Sequence, residues 1–500
     1  MTASDAPAVR RAAPVAVLAG FALLQAVSTA RHEMWRDELQ AWGVATATPG
    51  LRDLAAALVD EGHPPLWYLP LRLLGAVGLE PAAMQVLAWA LGVVAAAVVL
   101  RCAPVPLWAR AAVLFGYHVG YEYTVLARSY TLGLLLLVSA LAALTAAPPR
   151  RRLATGLIVA LALTSAYGAA VAVALGAAVL VDLRREGTSW PRRPAVLVPL
   201  LLAGAVTSAA VLVLAARLLE GNTGLLTDAA LARRLDLASH GLSALLPLPD
   251  RLDAEWESLL LGDLPGRIRL AGLLAVAGIF GWGLRRDRPA LTLWVAALTL
   301  CLLLATITGA YFLRHLGHVP LALLAAVWYS RRPGAPGLGT AGARRAVHAT
   351  AVAVVLVGLV AGVLATVADL RRPFSSAEQM AAYLDVVLAP DAQVVADTDL
   401  GTSGVAVLLD RGLHRPASDD VGTYVRWDRR TCREGTLAGA CVPPEEVVAL
   451  AAELADRPGP AEVWILTTYP LEHPRTRLVH SVTGGLVMEE DQYLHRLLPP

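Results

Sequence analysis

The sequence predicts an all-α polytopic membrane domain of about 11 spans, with helices lying along the interface in its first outer loop, followed by a small extracytoplasmic α/β domain. Three observations carry this prediction. Hydrophobic residues make up 56 % of the chain and charged residues only 16 %, against roughly 25 % charged in soluble domains. The apolar residues gather in runs of about 20, the length that crosses a bilayer as a helix. Beyond residue 370 the composition becomes that of a soluble domain. The net charge of +2 comes from arginines split among short loops and the tail rather than clustered on one face, so it gives no sign of a nucleic-acid partner, and none is expected. Every basic residue is Arg, a bias that reads as genomic base composition rather than function. Four cysteines are too few for a disulfide framework or a metal cluster, and Cys102 and Cys301 read as small buried hydrophobes.

Arg10 and Arg11 precede the first apolar run, residues 15–30, so the N-terminus is predicted cytoplasmic and the chain emerges outside at residue 31. The alternative is a cleavable signal peptide ending near Val27-Ser28-Thr29-Ala30, which leaves the same side outermost. In the outer loop, Leu51, Leu54 and Leu58 recur at helical spacing opposite Arg52, Asp53, Asp60 and Glu61, predicting an interfacial helix that starts after Thr48-Pro49. Residues 66–79 are apolar but short and carry Pro70 and Arg72, so they read as interfacial or re-entrant. Residues 82–100, 111–123 and 130–146 form the second to fourth spans. Residues 153–183, bounded by Arg at both ends, must cross an even number of times. About 30 helical residues reach roughly 45 Å, which predicts a hairpin of two short helices turning near Ser165, Tyr167 and Gly168. Spans at 194–214, before Arg285-Arg286, at 290–311, 316–329 and 347–370 complete the set, with an acid-rich second outer loop at 218–266. That loop carries Asp228, Asp236, Asp250, Asp253, Glu255 and Asp263, which read as a solvated face.

The domains are therefore residues 1–370 and 371–500. In the second, Ser375 or Ser376 caps a helix to Val387, Pro443-Pro444-Glu445-Glu446 opens another to Ala455, and residues 393–396, 462–467 and 493–498 read as strands. Cys432 and Cys441 lie close together on the oxidising side and predict a structural disulfide.

Chemistry collects at the outer face. The polar insert 31–64 puts His32, Glu33, Arg36, Asp37 and Glu38 directly after a span, where carboxylates are costly and need a reason. The same topology brings His63, His118, Glu122, Arg128, Tyr130, Arg314 and His315 to this side. A carboxylate can take a proton from an acceptor hydroxyl, and guanidinium groups can hold a departing phosphate through paired hydrogen bonds. Plainer readings exist for each residue. Asp37 and Glu38 can simply solvate a loop start, His63 can cap a turn, and Arg128 and Arg314 can snorkel to the headgroups. Glu122 can pair with Arg128. Trp35, Trp42, Trp67 and Tyr68 read as an aromatic belt.

The W-R-D-E of residues 35–38, H-P-P-L-W-Y of 63–68, A-R-S-Y of 127–130 and R-H-L-G of 314–317 together resemble the GT-C glycosyltransferases, in particular bacterial relatives of protein O-mannosyltransferases and lipid A aminoarabinose transferases. The likeness covers residues 12 to about 370. It implies an acidic catalytic residue in the first outer loop, here Asp37 as the base, with the neighbouring Glu38 as a second catalytic acid that assists it or ligates a metal. It also implies a polyprenyl-phosphate sugar donor, an extracytoplasmic acceptor and inversion at the anomeric carbon. On that reading Arg128, Arg314 and His315 bind the donor phosphate, while Arg36, His63, Tyr130 and Glu122 contact substrate. Some members of the group use a divalent metal, but no dependable ligand set stands out here. Two other classes compete: a secondary transporter, which needs midplane charges and related halves, and a non-catalytic cell-envelope scaffold.

Overall fold

The computed structural model describes residues 6–61, 63–186, 228–251, 255–309, 311–427, 442–457, 462–487 and 490–499. Among them, six helices are long and apolar enough to cross a membrane: α1 (Ala6–Arg31), α5 (Ala82–Cys102), α9 (Ala166–Arg185), α12 (Gly266–Leu284), α13 (Arg288–Thr308) and α16 (Ala341–Arg371). At 1.5 Å per residue, a 20-residue helix covers about 30 Å, the hydrocarbon thickness of a bilayer. The chain is thus a membrane protein with six such helices among the described residues, fewer than the predicted spans.

The shortfall has local causes. The predicted third span is broken into α6 (Leu107–Leu114) and a π-helical turn, Tyr117–Glu122. A side chain at Gly120 would put its Cβ 2.5 Å from the Leu114 carbonyl oxygen, so the backbone folds back more tightly than any other residue permits. The predicted tenth span forms as α15 (His318–Tyr329), only 12 residues and about 18 Å long, with a separate turn of helix, α14 (Leu313–Leu316), before it. Helix α7 (Ser129–Leu144) has 16 residues. The 153–183 hairpin forms as α8 (Arg151–Ala162) and α9, and Ser165 caps α9 by accepting the Gly168 N–H at 2.9 Å. Only its first arm is short, because α9 continues to Arg185. Residues 194–214 and Cys432 and Cys441 lie outside the described residues.

The chain folds as two compact units. The first comprises residues 1–27, 62–67 and 87–366. Its centre is the packing of α9 on α13, and of α13 on α15, through small and apolar faces such as Ala170, Ala174, Leu293, Ala297 and Ala322. Close to the ends of these helices, Arg332 donates to both oxygens of Asp182 at 2.9 and 3.0 Å and to both oxygens of Asp287 at 2.8 and 2.9 Å. Asp287 in turn caps α13 through the Ala290 N–H.

The second unit comprises residues 28–61, 68–86 and 367–500, so the first loop and the tail fold together. It holds α2 (Arg36–Ala47), α3 (Leu51–Glu61), α4 (Tyr68–Ala76), α17 (Ala377–Val387), α18 (Ser403–Leu408) and α19 (Pro444–Ala455). These surround a six-stranded mixed sheet of order β3-β2-β1-β4-β6-β5. Its strands are β1 (Gln393–Ala396), β2 (Leu413–Arg415), β3 (Asp420–Gly422), β4 (Val463–Thr467), β5 (Thr476–Val482) and β6 (Gln492–Leu497). Strand β1 is central and parallel to both β2 and β4. The helix after β1 leads to β2, and α19 leads to β4, burying Val447, Val448 and Ala451 against Val395 and Ile465. Strands β1, β4 and β6 lie within a residue of their predicted positions; β2, β3 and β5 were not predicted. Helix α2 packs on α18, where Gly404 lets the two backbones approach beside Leu39.

Candidate functional site

The start of α2 organises the second unit. Trp35 has extended backbone at the helix N-cap, and the buried Glu38 carboxylate three residues on accepts the Trp35 N–H at 3.2 Å, the acid half of a capping box. The same oxygen takes His32 Nε2 at 3.0 Å, while His32 Nδ1 meets Asp369 at 2.9 Å. Burial pulls the His32 pKa down, but the Asp369 and Glu38 charges overcome it and raise the imidazole to about 10. One imidazolium therefore sits between two carboxylates. Glu490 closes the other side: it accepts the Arg36 N–H at 3.2 Å and the Ser375 hydroxyl at 2.6 Å. Burial pushes Glu490 up to about 7 against the pull of Arg36. Glu33, raised by burial, accepts from Gln379 at 3.0 Å. Asp37 occupies the first turn of α2, half-buried between these neighbours, where the positive end of the helix dipole favours a carboxylate by about 0.3–1 kcal/mol.

In the first unit the predicted phosphate ligands gather around aromatic rings. Arg128 lies 5.7 Å over the Tyr130 ring. His315 stacks on Tyr167, with ring centroids 5.3 Å apart, and meets Tyr130 edge-on at 6.2 Å. Arg314 pairs with Glu257 at 3.1 Å and lies over the rings of Phe312 (4.2 Å) and Trp256 (5.3 Å). Glu257 holds this position with a left-handed φ of 67°, uncommon outside glycine. Glu122 is buried and accepts from the Tyr117 hydroxyl at 2.9 Å and the Trp256 indole at 3.3 Å. His118 Nε2 contacts the Ala244 carbonyl at 2.7 Å, a structural bond. A planar cation beside an imidazole and phenol rings is a setting that can hold a phosphate.

Several expectations change. The residues read as an aromatic belt are interior: Trp35, Trp42, Trp67 and Tyr68 are each no more than 5 % exposed. Acids of the second loop are not a uniform solvated face, since Asp236 pairs with Arg269 at 2.5 Å. Arg36 is engaged with the buried Glu490, and His63 belongs to the first unit. Sequence reasoning missed Glu257, Glu490 and Asp369. Glu490 lies in a run of acids that looks like a surface turn, and nothing local marks it as buried. Among the described residues, no group of three His, Cys, Asp or Glu side chains is disposed to hold a metal. No protein-family model matches the chain, and no curated protein or solved structure does either.

Proposed function

We propose that this chain is an integral membrane glycosyltransferase that moves a sugar from a polyprenyl-phosphate donor to an acceptor hydroxyl at the extracytoplasmic face of the plasma membrane, with the N-terminus cytoplasmic. The observation that carries this reading is the division of labour at the start of α2. Glu38 is wholly buried and committed to His32 and the Trp35 N–H, while Asp37 is half-buried on the first helical turn.

Asp37 is the base. It takes the acceptor hydroxyl proton as that oxygen attacks the anomeric carbon from the face opposite the phosphate. The sugar C–O bond to phosphate breaks, its electron pair leaves with polyprenyl phosphate, and the configuration inverts. The resemblance to GT-C enzymes implies that Arg128 supplies positive charge and His315 a hydrogen-bond donor for the leaving phosphate, with Arg314, which pairs with Glu257, as the third phosphate ligand. Glu38, Arg36 and Glu490 fix the helix start rather than touch substrate. The quadruple motif likeness to GT-C enzymes supports the donor class.

The test incubates the purified protein in nanodiscs with a panel of polyprenyl-phosphate sugars and scores released lipid phosphate. Asp37→Asn should lower turnover by about 10²- to 10⁴-fold with an unchanged melting temperature. Near-normal turnover in that variant removes the assignment.

A further inference from the structure

The second unit contains a cleft of about 360 Å³, within the usual range of small-ligand sites. Its walls come from α2 (Val44, Thr48), α3 (Asp53, Glu61) and the segment after β3 (Tyr424, Trp427). We propose that this cleft binds a neutral saccharide; its assignment as the acceptor subsite rests on the transfer reading, whereas the binding itself does not.

Three features point to that ligand class. First, an indole and a phenol line the cleft beside two carboxylates, so flat apolar faces and strong hydrogen-bond acceptors lie together, the pairing that a ring of C–H and O–H groups satisfies. Two carboxylates against the single cation of Arg426 disfavour an anionic ligand. Second, the cleft is held in shape before any ligand arrives. Trp427 donates its indole N–H to Glu61 at 3.0 Å, which fixes the ring plane. The Gln40 amide clasps the backbone of Val425 from both sides, donating to its carbonyl at 2.9 Å and accepting its N–H at 2.8 Å. Arg72 anchors the far end by donating to the carbonyls of Thr48 and Pro49 at 2.6 and 2.7 Å. A Cβ at Gly43 would lie 3.0 Å from Tyr424, so helix and wall are already in close contact.

Third, the cleft lies along the line of Asp37. Positions 37, 40 and 44 recur at intervals of three and four, one face of a helix, and Thr48 follows just past its C-terminus. Val44 follows Asp37 by two helical turns, about 10 Å along the axis. A saccharide seated on Trp427 and Glu61 therefore lies against the same helix that carries the proposed base, on the face where Asp37 sits.

The experiment is calorimetric titration of the full chain in nanodiscs free of sugar-headed detergent. The probes are neutral tetrasaccharides of mannose, galactose and arabinose, with polygalacturonate and a glucosamine oligomer as charged comparators. At least one neutral probe should bind saturably. Trp427→Ala should weaken it by about tenfold or more, Glu61→Gln should weaken it less, and Trp427→Phe, which keeps a ring, should retain most of the binding. Asp37→Asn should bind as the parent does. Binding only by a charged comparator, no neutral titration at millimolar concentration, or equal affinity in a folded Trp427→Ala variant overturns the proposal. Neutral binding in an enzyme whose Asp37→Asn variant still turns over removes the base and leaves the cleft. Donor turnover unaffected in Trp427→Ala removes the acceptor-subsite assignment and leaves the binding to the titration.

Discussion

Arg314 and Arg332 flank α15 and are buried in different ways. Arg332 meets both oxygens of Asp182 and both of Asp287, so one cation answers two carboxylates and its fork geometry is saturated. Arg314 pairs with Glu257 and otherwise rests on the faces of Phe312 and Trp256. A guanidinium locked by two bidentate acids is a fastener between elements, here α9, the start of α13 and the end of α15. Glu257, the acid that holds Arg314, is a left-handed residue, and on the transfer reading Arg314 exchanges it for the donor phosphate. On that reading the same charge serves structure at one end of α15 and chemistry at the other.

The sharpest way to break this comparison is to remove the fastener. Arg332→Ala leaves Asp182 and Asp287 facing each other without a cation and should cost about 3–5 kcal/mol, the penalty for uncompensated buried charge. Thermal unfolding in detergent measures it. Arg332→Lys should recover only part of the loss, because a point charge cannot serve four acceptor oxygens in two planes. A melting temperature unchanged in Arg332→Ala would mean that the pairs are adventitious and that the contrast with Arg314 is false.

His32 offers a titratable version of the Arg332 arrangement, one cation between Glu38 and Asp369. Its folded pKa is raised from 6.5 to about 10. Its contribution is thus fully present below about pH 6.5 and is lost as pH rises through 10. Unfolding midpoints followed from neutral to alkaline pH should fall by the equivalent of a few kcal/mol in the parent. They should be flat over the same window in His32→Gln, which starts lower. The Arg332 clamp keeps its charge throughout, so a parent with no alkaline loss would deny His32 its place between two charged acids.

What could be read from the sequence follows the range of the forces involved. Helices α5, α12, α13 and α16 announce themselves because a bilayer demands one uniform apolar length, a property of neighbours in the chain. The start of α2 was legible as a cluster of charge after a span, but its capping arrangement was not, and Asp37 and Glu38 looked alike. Their separation into a half-buried and a buried carboxylate comes from His32 and Asp369, partners 337 residues apart, and no local pattern encodes such a pairing. The breaks at Gly116 and before His318 were hidden for another reason: the polar residues beside them, His118 and Glu122 in one case and Arg314 and His315 in the other, read as the outer end of a span rather than as a bend within it. Strand β5, with exposed Arg477 and Leu478, lacks the alternation that marks a half-buried strand.

The smallest expected effect sharpens the Arg314 side of the comparison. Glu257→Gln keeps the side-chain size and the acceptor oxygen for the Arg314 N–H but removes the charge that holds the guanidinium. Losing a charge-assisted bond in this half-buried setting should cost about 1–2 kcal/mol of stability. If Arg314 exchanges Glu257 for a phosphate, the variant should also bind inorganic phosphate or polyprenyl phosphate about two- to tenfold more tightly, since the competing anion has gone. Both quantities can be read from one set of melting curves with and without ligand, through the ligand-induced shift. Weaker phosphate binding in Glu257→Gln would mean that Glu257 positions Arg314 for its ligand instead of competing with it, and the two arginines would then differ in partner number but not in kind.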